Sequence, residues 1–292
     1  MLKQNILSLL INKFKKIIMK ITYLGTAAFE GVPALFCSCD VCEEARRLGG
    51  KNIRTRSQAV INDDLLIDFN ADTYMHFQFS GFDLRKIDNC LITHSHCDHL
   101  YVDDIEMSRK DFIYQYNKTL HFYGGETACY KISEIGYRPW NQGVFDTKVV
   151  HDGEIFQVGK YQVLALRASH DPLSAPLIYA ISDGKKKMLY ANDTHSFFDS
   201  TYEHLKKFGH LDLVSLDCTG MIQHGWTSSH MTLDLVLKEL NKMKEAGIID
   251  DKTIKVVNHF SHNGGINHDA FAKLCLEKYG IIVAYDGLQI EF

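Results

Sequence analysis

His94-Ser95-His96-Cys97-Asp98-His99 packs three imidazoles and a carboxylate into six consecutive residues, a density that a core strand has no packing reason to carry. Side chains two apart at the end of an extended segment point the same way, so His94 and His96 can grip one ion. Asp98 and His99 lie just beyond, where the chain turns, and can reach a second. Imidazole with carboxylate suits zinc, manganese or iron, and this mixture suggests a dinuclear site.

Four other apolar runs rich in β-branched residues end in the same kind of side chain. They are Val163 to His170, Met188 to Asp193, Leu213 to Asp217 and Ile254 to His259. A lone strand-end histidine is ordinarily a cap or a satisfied core residue, and a strand-end aspartate often caps the next helix. Their repetition at equivalent positions, together with the His94 to His99 segment, makes His170, Asp193 and His259 metal-ligand candidates. The ends of buried strands converge on one sheet edge, where α/β folds place their chemistry.

A second cluster is Cys37-Ser38-Cys39-Asp40-Val41-Cys42. The three cysteines are too close together for the usual disulfide framework and fit a metal in a reducing, cytoplasmic compartment. Three thiolates can fill three corners of a zinc tetrahedron, leaving the fourth to come from elsewhere. Cys90, Cys97, Cys129, Cys218 and Cys275 read as packing residues, and His195 and His224 carry no role. His230 precedes a helix beginning near Thr232, and helix N-termini attract phosphate.

The elements that must position these groups are legible as periodicities. Strand-like runs fall at 20–24, 58–61, 64–68, 89–93, 119–123, 154–158, 161–168, 176–181, 187–191, 213–216, 254–257 and 281–284. Helical patterns fall at 40–47, 72–79, 103–116, 126–134, 200–207, 232–246 and 268–279, with Thr232 as N-cap of the helix that carries Leu233, Val236, Leu237, Leu240 and Met243 on one stripe. Successive strands followed by strand–helix alternation imply two sheets packed face to face with helices outside.

A chain of 292 residues, 46% hydrophobic, can bury one ordinary core, and its 4 prolines and lack of a Ser/Gly-rich linker suggest a single domain over 19–292. The net charge of −4 gives no field favouring nucleic acid, although bound dications would reverse the local sign for a small anion. Residues 1–18 carry four lysines and no acid. Their apolar stretch is too short to span a bilayer and lacks a signal-peptide cleavage site, so the segment is read as an extension outside the fold, with Met19 opening the domain.

His94-x-His96-x-Asp98-His99 with Ser169-His170, Asn192-Asp193-Thr194 and Asn258-His259 resembles the metallo-β-lactamase superfamily over nearly the whole chain from Met19. Gly25-Thr26, Gly31-Val32-Pro33, the cysteine cluster, Asp217-Cys218-Thr219, Ser229-His230-Met231-Thr232, His259-Phe260-Ser261-His262 and Tyr285-Asp286-Gly287 are similar to the phosphoribosyl cyclic phosphodiesterases of the carbon–phosphorus lyase pathway. The resemblance implies an α/β fold, a four-layer αβ/βα sandwich. It also implies two active-site ions, zinc or manganese: His94, His96 and His170 on one, Asp98, His99 and His259 on the other, and Asp193 bridging. A water held by such ions has its pKa lowered from about 15.7 towards 7 and can attack phosphorus in line.

The same resemblance puts His262 at the fourth corner of a structural zinc site with Cys37, Cys39 and Cys42. It makes Asp98 and His230 the catalytic candidates, His230 protonating the departing oxygen, and allows Asp217 to orient a ligand histidine. Arg54 and Arg56 are candidates for a distal 5-phosphate. The implied substrate is 5-phosphoribosyl 1,2-cyclic phosphate, hydrolysed to ribose 1,5-bisphosphate, with a homodimer compatible and no membrane or nucleic-acid partner. Departures are the bulky Phe29 with Glu30 in the first turn, and Asn192 where serine is commoner; both bear on substrate rather than metal. The rivals are a hydrolase of the same fold acting on another cyclic nucleotide or ester, and a tRNA 3′-end endonuclease. The endonuclease would need a protruding basic arm, and Leu120 to Val150 is short and not basic. A β-lactamase would often place cysteine at Asp193, and a non-catalytic relative should have lost ligands.

Overall fold

The computed structural model describes residues 18–114, 118–225 and 229–292. The expectation for residues 1–18 therefore falls outside the described residues, apart from Ile18. Met19 is fully buried and exchanges backbone hydrogen bonds with Phe292, so the described fold closes on itself where the first strand begins.

One sheet has the order β14-β1-β2-β3-β4-β5-β6, from β1 (Lys20–Gly25), β2 (Gln58–Ile61), β3 (Leu65–Ile67), β4 (Asn89–Leu91), β5 (Leu120–Gly124), β6 (Phe145–Val149) and β14 (Gln289–Glu291). The other has the order β13-β12-β11-β10-β9-β8-β7, from β7 (Ile155–Val158), β8 (Tyr161–Arg167), β9 (Leu177–Ser182), β10 (Lys187–Ala191), β11 (Leu213–Asp217), β12 (Ile254–Asn258) and β13 (Ile282–Val283). The helices of at least seven residues are α1 (Asp40–Leu48), α2 (Thr73–Phe79), α4 (Glu126–Gly136), α5 (Asp199–Phe208), α6 (Leu233–Glu245) and α7 (His268–Tyr279); α3 (Val102–Ile105) is a single turn.

Strand alternation sorts the first sheet's side chains into two cores. Ile21, Tyr23, Ala59, Ile61, Leu65, Ile67 and Leu91 join the second sheet's Val163, Ala165, Tyr179, Leu189 and Val214 in the main cluster. Their neighbours Leu24, Val60, Leu66, Cys90 and Phe122 pack instead with Ala128, Ile132 and Ile135 of α4. On the far side of the second sheet, Leu205, Val236, Met243 and Phe271 bring α5, α6 and α7 into the main cluster. The result is the four-layer sandwich expected from the sequence.

Two strands escaped the sequence reading, β6 and β14, and both are edges of the first sheet. An edge strand is half solvated and shows no buried run: Phe145 is buried, whereas Asp146, Lys148 and Val149 are exposed. The helix expected over 103–116 is a correction in the other direction. Among the described residues of that span only Val102–Ile105 is α-helical, followed by a 3₁₀ turn to Ser108, and Phe112 and Tyr114 are exposed. Thr232 stands at the N-cap of α6 in extended conformation but makes no side-chain cap hydrogen bond.

β10, β11, β12 and β13 are mutually parallel, and β9 runs antiparallel to both β8 and β10. The carboxyl ends of β8, β10, β11 and β12 therefore open on one edge of the sheet. β1 reaches the same region through a tight turn. A Cβ on Gly25 would lie 2.1 Å from the Arg56 carbonyl oxygen, so the strand can end there only in glycine. Thr26 and Ala28 then exchange backbone hydrogen bonds with Phe260, tying the first loop to the one that carries His259.

Candidate metal centre

The strand ends deliver two groups of ligand atoms. His94, His96 and His170 form one, with His94 Nε2 3.0 Å and His170 Nε2 3.3 Å from His96 Nδ1. Asp98, His99, Asp193 and His259 form the other. Asp193 faces both. Its Oδ2 lies 3.0 Å from His99 Nε2 and 3.1 Å from His259 Nε2, while Oδ1 lies 3.8 Å from His170 Nε2 and 4.0 Å from His94 Nε2. All seven residues proposed from sequence are thus brought together, with Asp193 between the two groups.

Placing them demands unusual backbone. Asp193 and His259, each just after a parallel strand, have φ of 52° and 63°, and Asp68 has 66°. Such left-handed conformations are rare for residues with a Cβ and concentrate at functional sites.

Each histidine of the two groups has a second partner that sets its orientation. His99 Nδ1 lies 2.7 Å from Asp68 Oδ2, and Thr93 donates its hydroxyl to the same carboxylate. His259 Nδ1 meets the Thr219 hydroxyl at 2.8 Å, His170 Nδ1 meets Ser229 at 2.9 Å, His96 Nε2 meets Asp171 at 3.2 Å and His94 Nδ1 meets Thr93 at 3.1 Å. With Nδ1 of His99 and His259 engaged, their Nε2 atoms are turned inward. These two nitrogens and Asp193 Oδ2 are buried with no hydrogen-bond partner. Three electron-rich atoms gathered in a dry site without compensation are costly, and a divalent cation satisfies all three at once. The donor set fits divalent metal, and the outer partners are the kind that hold metal-bound imidazoles in place.

Sequence reasoning overlooked Asp68, Thr93, Asp171, Thr219 and Ser229. For Asp68 the signal was present: Leu65-Leu66-Ile67-Asp68 is one more β-run ending in an acid. Asp217 needs correcting. Its Oδ2 is 2.8 Å from His230 Nδ1 but 3.7 Å from His259 Nδ1, so it orients His230 and leaves the ligand histidine to Thr219. Burial disfavours a charged His230, but the Asp217 carboxylate overrides it and pushes the imidazole up to about 9. Asp217 therefore favours the protonated form of His230. Its ring stands 4.9 Å from that of His170 and stacks on that of His259 at 5.4 Å.

A cavity of about 500 Å³ opens over these groups, lined among others by Phe29, Glu30, Asp98, His170, Asp193 and His230. The structure brings neither Arg54 nor Arg56 to it. Arg54 is buried, its guanidinium bonded to Thr26, the Ala284 carbonyl and His268 and stacked on Phe260. Arg56 pairs with Asp72 at 2.8 Å and donates to the Phe29 carbonyl. Both guanidiniums are committed to protein partners and neither lines the cavity, which corrects the expectation that they seat a distal phosphate there.

Cys37, Cys39, Cys42 and His262 come together as the second cluster. His262 Nδ1 lies 3.5 Å from Cys37 Sγ and 3.3 Å from Cys39 Sγ. Although desolvation works against it, the hydrogen bond with His262 draws the Cys39 thiol down to about 6, whereas burial pushes Cys42 up to about 12. His262 sits three residues past His259, so the cluster meets the loop that Phe260 bonds to Thr26 and Ala28.

A profile of the beta-lactamase superfamily domain matches residues 65–260, a span holding all seven residues of the two groups. Among solved structures, the chain is similar to a diphosphatase from the PhnP family, with 22% identity, TM-score 0.72 and coverage of 94% of this chain and 98% of that one. It is similar also to Zn(2+)-bound PqqB from Methylobacterium extorquens, at 18% identity and TM-score 0.73 over 93% and 99%. Human tRNase Z, short form, aligns at 16% identity and TM-score 0.62 over 93% and 98%. No curated protein sequence matches the chain.

Proposed function

This chain belongs to the beta-lactamase superfamily, and on that premise we propose that it is a phosphodiesterase acting on a small cyclic phosphate, with zinc or manganese in two active-site positions. One observation carries the reading: the Asp217-held imidazolium of His230 lines the same cavity of about 500 Å³ as Asp98, Asp193, His170 and His259. A group that is protonated at neutral pH and faces a bound ester is suited to hand a proton to a departing alkoxide. The cavity's size suits a small molecule.

His94, His96 and His170 would hold one cation and Asp98, His99 and His259 the other, with Asp193 shared. When bound, such cations supply Lewis acidity and an activated water. The remaining work falls to the chain. Asp217 fixes the His230 ring so that Nδ1 is engaged and Nε2 is the proton-delivering atom. The Thr219 hydroxyl lies 3.3 Å from His230 Nδ1 and 2.8 Å from His259 Nδ1, so it holds the two rings in register. Burial opposes ionisation of Asp98, but His99 beside it holds the carboxyl below the usual range, leaving it a proton acceptor. Cys37, Cys39, Cys42 and His262 would bind a structural zinc that braces the His259 loop.

5-Phosphoribosyl 1,2-cyclic phosphate remains the narrow substrate suggested by the sequence resemblance; its 5-phosphate needs a seat other than Arg54 and Arg56. The diphosphatase relative supports phosphate chemistry as a class. A tRNA-processing role is disfavoured, because Leu120–Val149 folds as β5, α4 and β6 against the sheet rather than as an arm. The test is hydrolysis of cyclic and acyclic phosphodiesters by the metal-loaded protein. Asp193→Ala should lose hydrolysis and bound metal with an unchanged circular dichroism spectrum, and full activity in that variant would refute the site.

A further inference from the structure

His170 lines a second hollow besides the catalytic cavity. On its far side a groove of about 630 Å³ runs past Ser169, Arg167, His151 and Phe198. Arg167 ends β8. Its backbone amide donates to Asp152 Oδ1 at 2.9 Å, and its guanidinium carbon lies 4.9 Å from the Phe198 ring centroid. No hydrogen bond or ion pair engages that guanidinium among the described residues. Stacking on an aromatic face orients the planar cation while leaving its N–H edges free, the arrangement that receives a phosphate or carboxylate through two parallel bonds. The groove's acids are already engaged: Glu126 lies 3.4 Å from His151, and Asp152 holds the Arg167 amide.

The catalytic cavity itself offers no cation from Lys or Arg among the described residues. Glu30 lines it, accepting a hydrogen bond from the Ser261 hydroxyl at 2.5 Å. A second anionic group directed there meets a carboxylate. Directed across His170, it meets the open guanidinium of Arg167, in a groove whose two carboxylates face His151 and the Arg167 amide.

We propose that the groove beyond His170 is a substrate subsite, in which Arg167, presented on Phe198, binds a second phosphate or carboxylate carried by the phosphodiester. This rests on the phosphodiesterase reading above. It makes Arg167 a specificity residue for diesters bearing a second anion, and Glu30 the residue that enforces their direction.

The test separates the two ideas by measuring binding without turnover. Calorimetry on the metal-loaded protein compares ribose 1,5-bisphosphate with ribose 1-phosphate, while hydrolysis of the corresponding cyclic diesters is assayed independently for the reading itself. The wild type should bind the bisphosphate roughly 10- to 100-fold more tightly, the range of charge-assisted hydrogen bonds. Arg167→Ala should bring that ratio to about one without changing metal content or affinity for the monophosphate, and Arg167→Lys, which keeps the charge but loses the fork, should fall between. An undiminished ratio in Arg167→Ala, or equal binding of the two ligands by the wild type, overturns the assignment even if cyclic diesters are hydrolysed. Loss of hydrolysis with the ratio intact would instead count against the phosphodiesterase reading alone.

Discussion

Replacing Asp217 by asparagine should move the alkaline limb of the pH–rate profile and leave the metal in place. Asp217 Oδ2 lies 2.8 Å from His230 Nδ1 in a fully buried position, and it is what holds the imidazole at about 9 against an ordinary 6.5. Burial works against the charge, so the net shift, a few kcal/mol by order of magnitude, is what remains after Asp217 overcomes desolvation. Bound dications nearby lower the absolute value in both proteins, so the prediction is on the shift between them. An acid with a raised pKa works below that pKa and fails as the pH rises through it. The descending limb of kcat/KM, which reports the free enzyme's essential acid, should therefore fall about 2 pH units earlier in Asp217→Asn. At pH 7.5 the variant should be roughly fourfold slower from protonation alone, with metal content at the wild-type level because Thr219 rather than Asp217 makes the close contact with His259. The assay is a pH series from 5 to about 10 on the metal-loaded protein, with His230→Asn as the control lacking the limb. An unmoved limb in Asp217→Asn would show that His230 is not the titrating acid.

Asp68→Ala removes the partner of His99 Nδ1 and should weaken metal retention by about 10–100-fold in a chelator competition, the usual effect of losing an outer hydrogen bond to a ligating histidine. Retention equal to wild type would separate Asp68 from the centre. Cys39→Ser should lower zinc content and Tm together, since metal-binding free energy is also folding free energy; an unchanged Tm with unchanged zinc would remove the cysteines from the ligand set.

Most of the architecture was legible because its strands are buried. Strands covered on both faces read as nearly continuous apolar runs, so β8, β10, β11 and β12 were found together with the His or Asp that follows each. β6 and β14 were not, because an edge strand alternates with solvent and carries no such run. The segment after α3 misled in the opposite way: the helix expected to run on to 116 stops at Ile105, and Phe112 and Tyr114 are exposed.

The candidate metal-binding groups follow from sequence, since histidine and aspartate at successive strand ends converge wherever those strands share a direction. What surrounds them needed the fold. Asp68 belongs to the first sheet and His99 to the loop after β4, 31 residues on, and only the pairing of β3 with β4 brings them to 2.7 Å. Asp217 turned from His259 to His230 because an aspartate at a strand end can reach either, and the choice depends on a side-chain distance of 2.8 against 3.7 Å. Arg54 lost its expected role for the same reason, while Arg167, to which the sequence assigned none, is left open. Both are arginines near loops in the sequence, but tertiary packing encloses one among Thr26, His268 and Phe260 and leaves the other open beside Phe198. A residue's chemistry is written in the chain, whereas its availability is set by what the fold packs against it.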